Sequence, residues 1–154
     1  MKIGFDFDKV FVDYPPLIPD FLIDYLYKNH KNTNEIYRIP NKIEQKIRVF
    51  SHYPMFRHPL KDNISVLKSL SKKKGNEIYL VSSRFSFLRK RTEAWFDIYH
   101  FDKYFSGVYF NYEDMQPHLF KYQMIKNLKL DYYIDDDLDL LKYLDGRKIK
   151  TKLS

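Results

Sequence analysis

Apolar and polar positions change rhythm several times along the chain, and each rhythm predicts an element. Lys2 to Phe7 is a short, nearly continuous apolar run, the pattern of a buried strand. Pro19 to Lys28 carries Phe21, Leu22, Tyr25 and Leu26 at the spacing of one helix face, and a second helical pattern runs from Lys42 to about Ser51. The stretch "SHYPMFRHPLKD", with Pro54 and Pro59, predicts a connection. Leu60, Ile64, Leu67 and Leu70 share a face of a helix expected over Leu60 to Lys74, with Gly75 placed to end it. Ile78 to Val81 reads as a strand ending in hydroxyls, Ser86 to Tyr99 as a helix, and Gly107 to Phe110 as a short strand. Pro117 suits the first turn of a helix reaching Leu128. "DYYIDDD" is then a strand ending in acid, "LDLLKYL" a short helix, and "RKIKTKL" an alternating last strand.

Strands that alternate with helices predict an α/β fold: a Rossmann-like, three-layer parallel sheet with helices on both faces. One domain is expected over residues 1–154. Residues 14–58 are too many for an ordinary strand-to-helix loop, so they are expected to form a small helical cap inserted in that domain.

Composition narrows the class. Hydrophobic residues make up 44% of the 154 and aromatic residues 18%, too many for a disordered chain. No apolar run approaches the roughly 20 residues that span a bilayer, so no membrane partner is expected. Asp6 arrives too early for the apolar segment of a signal peptide. Cysteine is absent, which excludes disulfides and thiolate metal sites, and a cytoplasmic location is the default expectation. The net charge is +7. Between Asn29 and Lys61 stand seven basic residues (Lys31, Arg38, Lys42, Lys46, Arg48, Arg57, Lys61) against two acidic ones (Glu35, Glu44), which reads equally as a solvated basic surface or as one that attracts anions.

Chemistry gathers at strand ends. In an open parallel sheet, ligands bind beyond the carboxyl ends of the strands. Strand one ends at Asp6 and Asp8, the next at Ser82 and Ser83, and the strand near residue 134 at Asp135, Asp136 and Asp137. Lys121 lies on the helix before that last strand. Carboxylates, hydroxyls and a lysine on one rim suit a divalent metal and a phosphate, and Mg²⁺ favours such hard oxygen ligands.

These stretches, in order, resemble the motifs of the haloacid dehalogenase-like hydrolases, most of which are phosphatases. The resemblance runs from about residue 2 to residue 144. "DFDKV" is similar to the first motif, "IYLVSSR" to the second, Lys121 in "HLFKYQMIKNL" to the third, and "YYIDDD" to the fourth. It implies that Asp6 is the nucleophile and forms an aspartyl-phosphate. Asp8 would protonate the leaving oxygen and later deprotonate water, while its backbone carbonyl helps hold the metal. Ser82 would bond a phosphoryl oxygen, and Lys121 would balance charge. Mg²⁺ would lie among Asp6, Asp8, Asp135 and Asp136. Lys9 stands where many members have glycine, placing a cation over the site. Ser83 is an alternative to Ser82, and Lys126 a weaker one to Lys121. The triple aspartate leaves the metal register open by one residue, with Asp137 expected to cap the next helix.

Other readings of single residues are blander. "DDDLDLLKYLDG" fails as a calcium loop, because Leu140 takes the glycine position and Gly146 the bidentate glutamate position. Asp13 reads as a turn residue. His52 and His58 could meet an anion but lack zinc spacing. The Tyr and Phe side chains read as core by default, with Tyr14, Tyr37 and Tyr53 near the cap offering the alternative of stacking on a base or sugar. Ser83, Arg84 and Lys9 are candidate substrate-binding residues. The reaction expected is Mg²⁺-dependent hydrolysis of a small anionic phosphorylated metabolite, possible nucleotides included. Two alternatives stand beside it: an end-processing phosphatase on nucleic acid, suggested by the basic insertion and the tail Arg147, Lys148, Lys150 and Lys152, and a non-catalytic phosphate-binding module.

Overall fold

Five parallel strands carry the architecture of the computed structural model, which describes residues 1–14 and 37–154. Their order across the sheet is β3 (Gly107–Phe110), β2 (Glu77–Ser82), β1 (Lys2–Phe5), β4 (Tyr132–Asp135) and β5 (Thr151–Leu153). The chain leaves the central strand β1 toward one edge and returns to its other side at β4. That reversal opens a crevice beyond the carboxyl ends of β1 and β4.

Strand alternation sends side chains to two separate cores. Ile3, Phe5, Ile78 and Leu80 pack with Leu67 and Trp95, from α2 (Lys61–Ser71) and α3 (Arg89–Tyr99). Val81 and Tyr133 pack instead with Ile125, Leu140 and Leu144, from α4 (Pro117–Leu128) and α5 (Leu138–Asp145). The result is the three-layer α/β arrangement that the alternation of elements predicts. Close packing on the second face needs glycine at position 4, where a Cβ would meet Leu130 and come within 2.9 Å of Tyr133.

Element ends differ from the sequence pattern for local reasons. The first strand stops at Phe5, because the Phe7 carbonyl accepts the N–H groups of Phe11 and Val12 and turns the chain. Phe7, Val10, Phe11 and Val12 are buried by that turn, which explains the apolar residues around the two aspartates. α2 ends at Ser71 rather than Lys74, since the Asn76 side chain donates to the Leu70 carbonyl; Gly75, at φ 86°, serves the turn into β2. Ser86–Leu88 forms a 3₁₀ turn before α3, held by Asp114, which accepts from the Ser86 N–H at 2.7 Å and hydroxyl at 2.6 Å.

Part of the insertion is described. α1 (Lys42–Ser51) opens with a capping box, in which Asn41 accepts from the N–H groups of Ile43 and Glu44 while Glu44 accepts from that of Asn41. A 3₁₀ turn, Pro54–Phe56, follows. The helix expected over Pro19 to Lys28 lies outside the described residues. No helix among the described residues is long and apolar enough to cross a membrane.

Candidate active site

Three strand ends deliver the reactive groups. Asp6 follows β1 and stays in the ladder, its N–H donating to the Ile134 carbonyl at 2.9 Å. Ser82 closes β2 and Asp135 closes β4. With Lys121 of α4 they line a cavity of about 380 Å³, within the size range of small-molecule sites. Asp8, Lys9, Ser83, Arg84 and Asp136 line it too, whereas Lys126, His52, His58 and Tyr53 do not.

Asp6, Asp135 and Asp136 each offer a carboxylate oxygen, the three lying within 4.8 Å of one another. Lys121 Nζ bonds Asp135 Oδ2 at 2.6 Å and lies 3.2 Å from Asp6 Oδ1. The second contact lacks hydrogen-bond geometry, which leaves Asp6 Oδ1 buried without a donor. Burial pushes the Asp6 carboxyl well above the usual carboxylate range; Lys121 offsets part of this, and Asp135, Asp8 and Asp136 add to it. Asp136 is likewise pushed up to about 7, by burial and by Asp135. Burial opposes the charge on Lys121, yet Asp135 and Asp6 outweigh it and hold the ammonium protonated. Three clustered carboxylates against one lysine, with an oxygen left undonated, fit a small hard divalent cation such as Mg²⁺.

Hydrogen bonds give Asp137 a capping role. Asp137 caps α5, its Oδ1 accepting from the N–H groups of Asp139 and Leu140, and its Oδ2 from the Tyr37 hydroxyl at 2.5 Å. Both its oxygens are thus occupied. Those of Asp135 also accept, Oδ1 from the Asp137 N–H at 3.0 Å and Oδ2 from Lys121, and it is the clustering of Asp6, Asp135 and Asp136 that marks these three as candidate metal ligands.

Asp8 has buried partners that its sequence context does not announce. Its carboxylate is outside the metal group and turned toward two buried arginines. Arg84 grips it through Nε (2.8 Å) and Nη2 (2.7 Å), and Arg57 Nη2 donates to the same Oδ1. Burial opposes ionisation of Asp8, but Arg84 and Arg57 together hold its carboxyl well below the usual range. Arg84 in turn donates from Nη1 to Thr92 Oγ1 at 3.0 Å and lies 4.4 Å from the Phe7 ring centre. The Arg57 carbonyl accepts from Trp95 Nε1 at 2.8 Å. The guanidinium of Arg84, read from sequence as a substrate contact, is therefore engaged with Asp8.

The remaining candidates fall as follows. Ser83 Oγ is buried beside the cavity and has no hydrogen-bond partner among the described residues, a donor ready for a phosphoryl oxygen. Ser82 is buried on the cavity lining. Lys9 sits at φ 58°, a conformation glycine takes without strain, with Nζ 4.6 Å from the Tyr14 ring centre and 3.4 Å from Asp13. His52 is buried and bonds the Arg48 carbonyl through Nδ1 at 2.7 Å; burial, Arg57 and Arg84 hold it neutral. His58 is exposed, and Tyr53 is 38% exposed against Arg91. Arg57, Thr92 and Trp95 were not foreseen, because only tertiary closure brings them to Asp8.

No sequence-family profile and no curated protein sequence matches the chain. Solved structures do. A HAD-family enzyme of Bacteroides thetaiotaomicron, crystallised as an aspartate-to-alanine mutant with magnesium and inorganic phosphate, superposes with a TM-score of 0.60 at 16% identity, covering 98% of this chain and 92% of its own. A haloacid dehalogenase-like hydrolase of Streptococcus pneumoniae gives 0.57 at 13% identity, covering 97% and 82%. The topology, the crevice at the strand reversal and these superpositions agree: the chain has the fold of the haloacid dehalogenase-like hydrolases.

Proposed function

We propose that the protein is a Mg²⁺-dependent phosphomonoesterase acting on a small phosphorylated metabolite through an aspartyl-phosphate on Asp6. The observation that carries this reading is the buried, undonated Oδ1 of Asp6, set among Asp135, Asp136 and Lys121 at the floor of the cavity. The Bacteroides enzyme of the same fold, with its magnesium and phosphate, supports it. Mg²⁺ held by Asp6, Asp135 and Asp136 would supply positive charge beside the transferring phosphoryl group.

In the first step a carboxylate oxygen of Asp6 attacks phosphorus and the bond to the leaving oxygen breaks. Lys121 neutralises charge as the two anions meet, and the Ser82 and Ser83 hydroxyls are placed to donate to phosphoryl oxygens. In the second step water attacks phosphorus, its proton passes to Asp8, and the bond to Asp6 breaks to give inorganic phosphate. The arginines orient Asp8 and keep it ionised at rest, which also weakens it as a base; it accepts a proton that water loses only as the bond to phosphorus forms, and in the first step a protonated Asp8 gives its proton to the leaving oxygen.

Hydrolysis of p-nitrophenyl phosphate, with and without Mg²⁺, tests the reading. Turnover should require the metal and disappear in Asp6→Asn. Metal-independent turnover, or turnover that survives the substitution, contradicts it. If wild type is inactive on this ester, BeF₃⁻ capture at Asp6 in the presence of Mg²⁺ must still occur.

A further inference from the structure

The cavity has two kinds of lining. At the strand ends stand Asp6, Ser82, Lys121, Asp135 and Asp136. Beyond them, on the turns and helix starts that rise over the rim, the lining is apolar: Tyr37, Phe85, Leu88, Pro117 and Leu138. Pro117 and Lys121 share a face of α4 one turn apart, and the helix begins at the rim, so Pro117 lies about 5 Å farther out. Leu138 opens α5 directly after the cap Asp137 and is 55% exposed, which leaves apolar surface at the mouth for a ligand to cover. Tyr37 brings a ring whose hydroxyl is already committed to Asp137 at 2.5 Å, with His118 stacked on it, ring centres 6.0 Å apart. The cations of the lining have partners: Lys121 with Asp135, Arg84 with Asp8, Lys9 with Asp13, while Arg48, buried on α1, has interactions of its own.

Direction decides which lining the leaving group meets. Asp6 attacks from the floor, and an in-line displacement sends the leaving oxygen to the opposite side of phosphorus, toward the mouth. The carbon group on that oxygen is therefore carried onto the apolar lining. Such a surface gains free energy by covering hydrocarbon, whereas a polar group placed there loses water and finds no partner in return. We propose that the preferred substrate is the phosphomonoester of an apolar alcohol, its hydrocarbon part seated against Tyr37, Phe85, Leu88, Pro117 and Leu138. This rests on the phosphatase reading above.

Alkyl phosphates test it, since their alcohols are closely matched as leaving groups and differ in what they bury. On the Mg²⁺-loaded chain, kcat/KM for butyl phosphate should exceed that for ethyl phosphate about tenfold or more, each buried methylene giving about fourfold. 2-Methoxyethyl phosphate has the length of the butyl ester with an ether oxygen in place of a methylene, and it should fall back toward ethyl. Leu138→Ser, at an exposed position, and Leu88→Ala should each lower the butyl-to-ethyl ratio about threefold or more. A fall in either variant upholds the proposal. A wild-type ratio near one, a methoxyethyl ester as good as butyl, or a ratio unchanged in both variants overturns it. If Leu88→Ala fails to fold, Leu138→Ser decides alone. Turnover of p-nitrophenyl phosphate and BeF₃⁻ capture judge the phosphatase reading separately. Where the alkyl esters are not turned over, their dissociation constants, measured by calorimetry, give the same ratios and carry the same outcomes.

Discussion

Arg84 meets Asp8 through two parallel hydrogen bonds, Nε to Oδ2 at 2.8 Å and Nη2 to Oδ1 at 2.7 Å, and spends its remaining nitrogen on Thr92. A fork fixed at three points orients the carboxylate as well as neutralising it. Removing Asp8 strands two buried guanidiniums, whereas removing Arg84 leaves Asp8 with Arg57. Asp8→Asn should destabilise by about 3 kcal/mol and Arg84→Met by less. The double variant should cost less than their sum by about 1 kcal/mol or more. Urea unfolding of the four proteins completes the cycle, and additive effects would mean that the two residues are not coupled.

His52 gives stability a pH dependence of known sign. Its folded pKa is depressed by burial, Arg57 and Arg84, while an unfolded histidine titrates near 6.5. Below pH 6.5 the unfolded chain takes up a proton that the folded chain refuses. Stability is therefore intact above that pH and falls below it, by up to about 1.4 kcal/mol per unit. Carboxylates titrate in both proteins, so the difference between wild type and His52→Gln isolates the histidine. Denaturant titrations at pH 7.5 and 5.5 should show a steeper loss for wild type. Equal losses would contradict a neutral buried His52.

Mg²⁺ should bind the folded chain alone and stabilise it by mass action. At ten times its dissociation constant the gain is about 1.4 kcal/mol, or a melting temperature higher by about 3–6 °C for a domain of this size. EDTA should reverse it. Asp136→Asn should shrink the shift, because it removes one of the three clustered carboxylates. A shift of full size in that variant would place the ion elsewhere.

Ser83→Ala should separate stability from activity. The hydroxyl is buried with no partner among the described residues, so deleting it removes an unsatisfied group and leaves stability equal or higher, by up to about 1 kcal/mol. Activity on p-nitrophenyl phosphate should fall about tenfold or more, since a phosphoryl oxygen loses a donor. Thermal melts and kcat/KM on one preparation check both. Full activity in Ser83→Ala would assign the donor role to Ser82 alone.

Much of this site is legible in the sequence, for a physical reason. Apolar runs that stop at carboxylates or hydroxyls mark strand ends, and a parallel sheet gathers those ends on one rim. Asp6, Ser82 and Asp135 are legible that way, while Lys121, on the helix before the last of these strands, is read from the family resemblance. The arginines are not legible, because nothing near Arg57 announces a partner 49 residues earlier in the chain. Arg48 was hidden differently: the spacing of Ile43, Ile47 and Phe50 identifies the helix but marks as inward the face that the fold leaves exposed. The roles within the triple aspartate are not legible, since one-residue register is invisible in a run of identical side chains; only the fold clusters Asp135 and Asp136 with Asp6.

Trp95 is the chain's single tryptophan. It is 1% exposed, its indole N–H is bonded to the Arg57 carbonyl at 2.8 Å, and its ring stands edge-on to Phe7 at 5.0 Å. The molecule thereby contains its own optical probe. Indole emission shifts with polarity and with the loss of a hydrogen bond, so its wavelength reads the seating of Arg57, and through Arg57 the hold on Asp8, without any label.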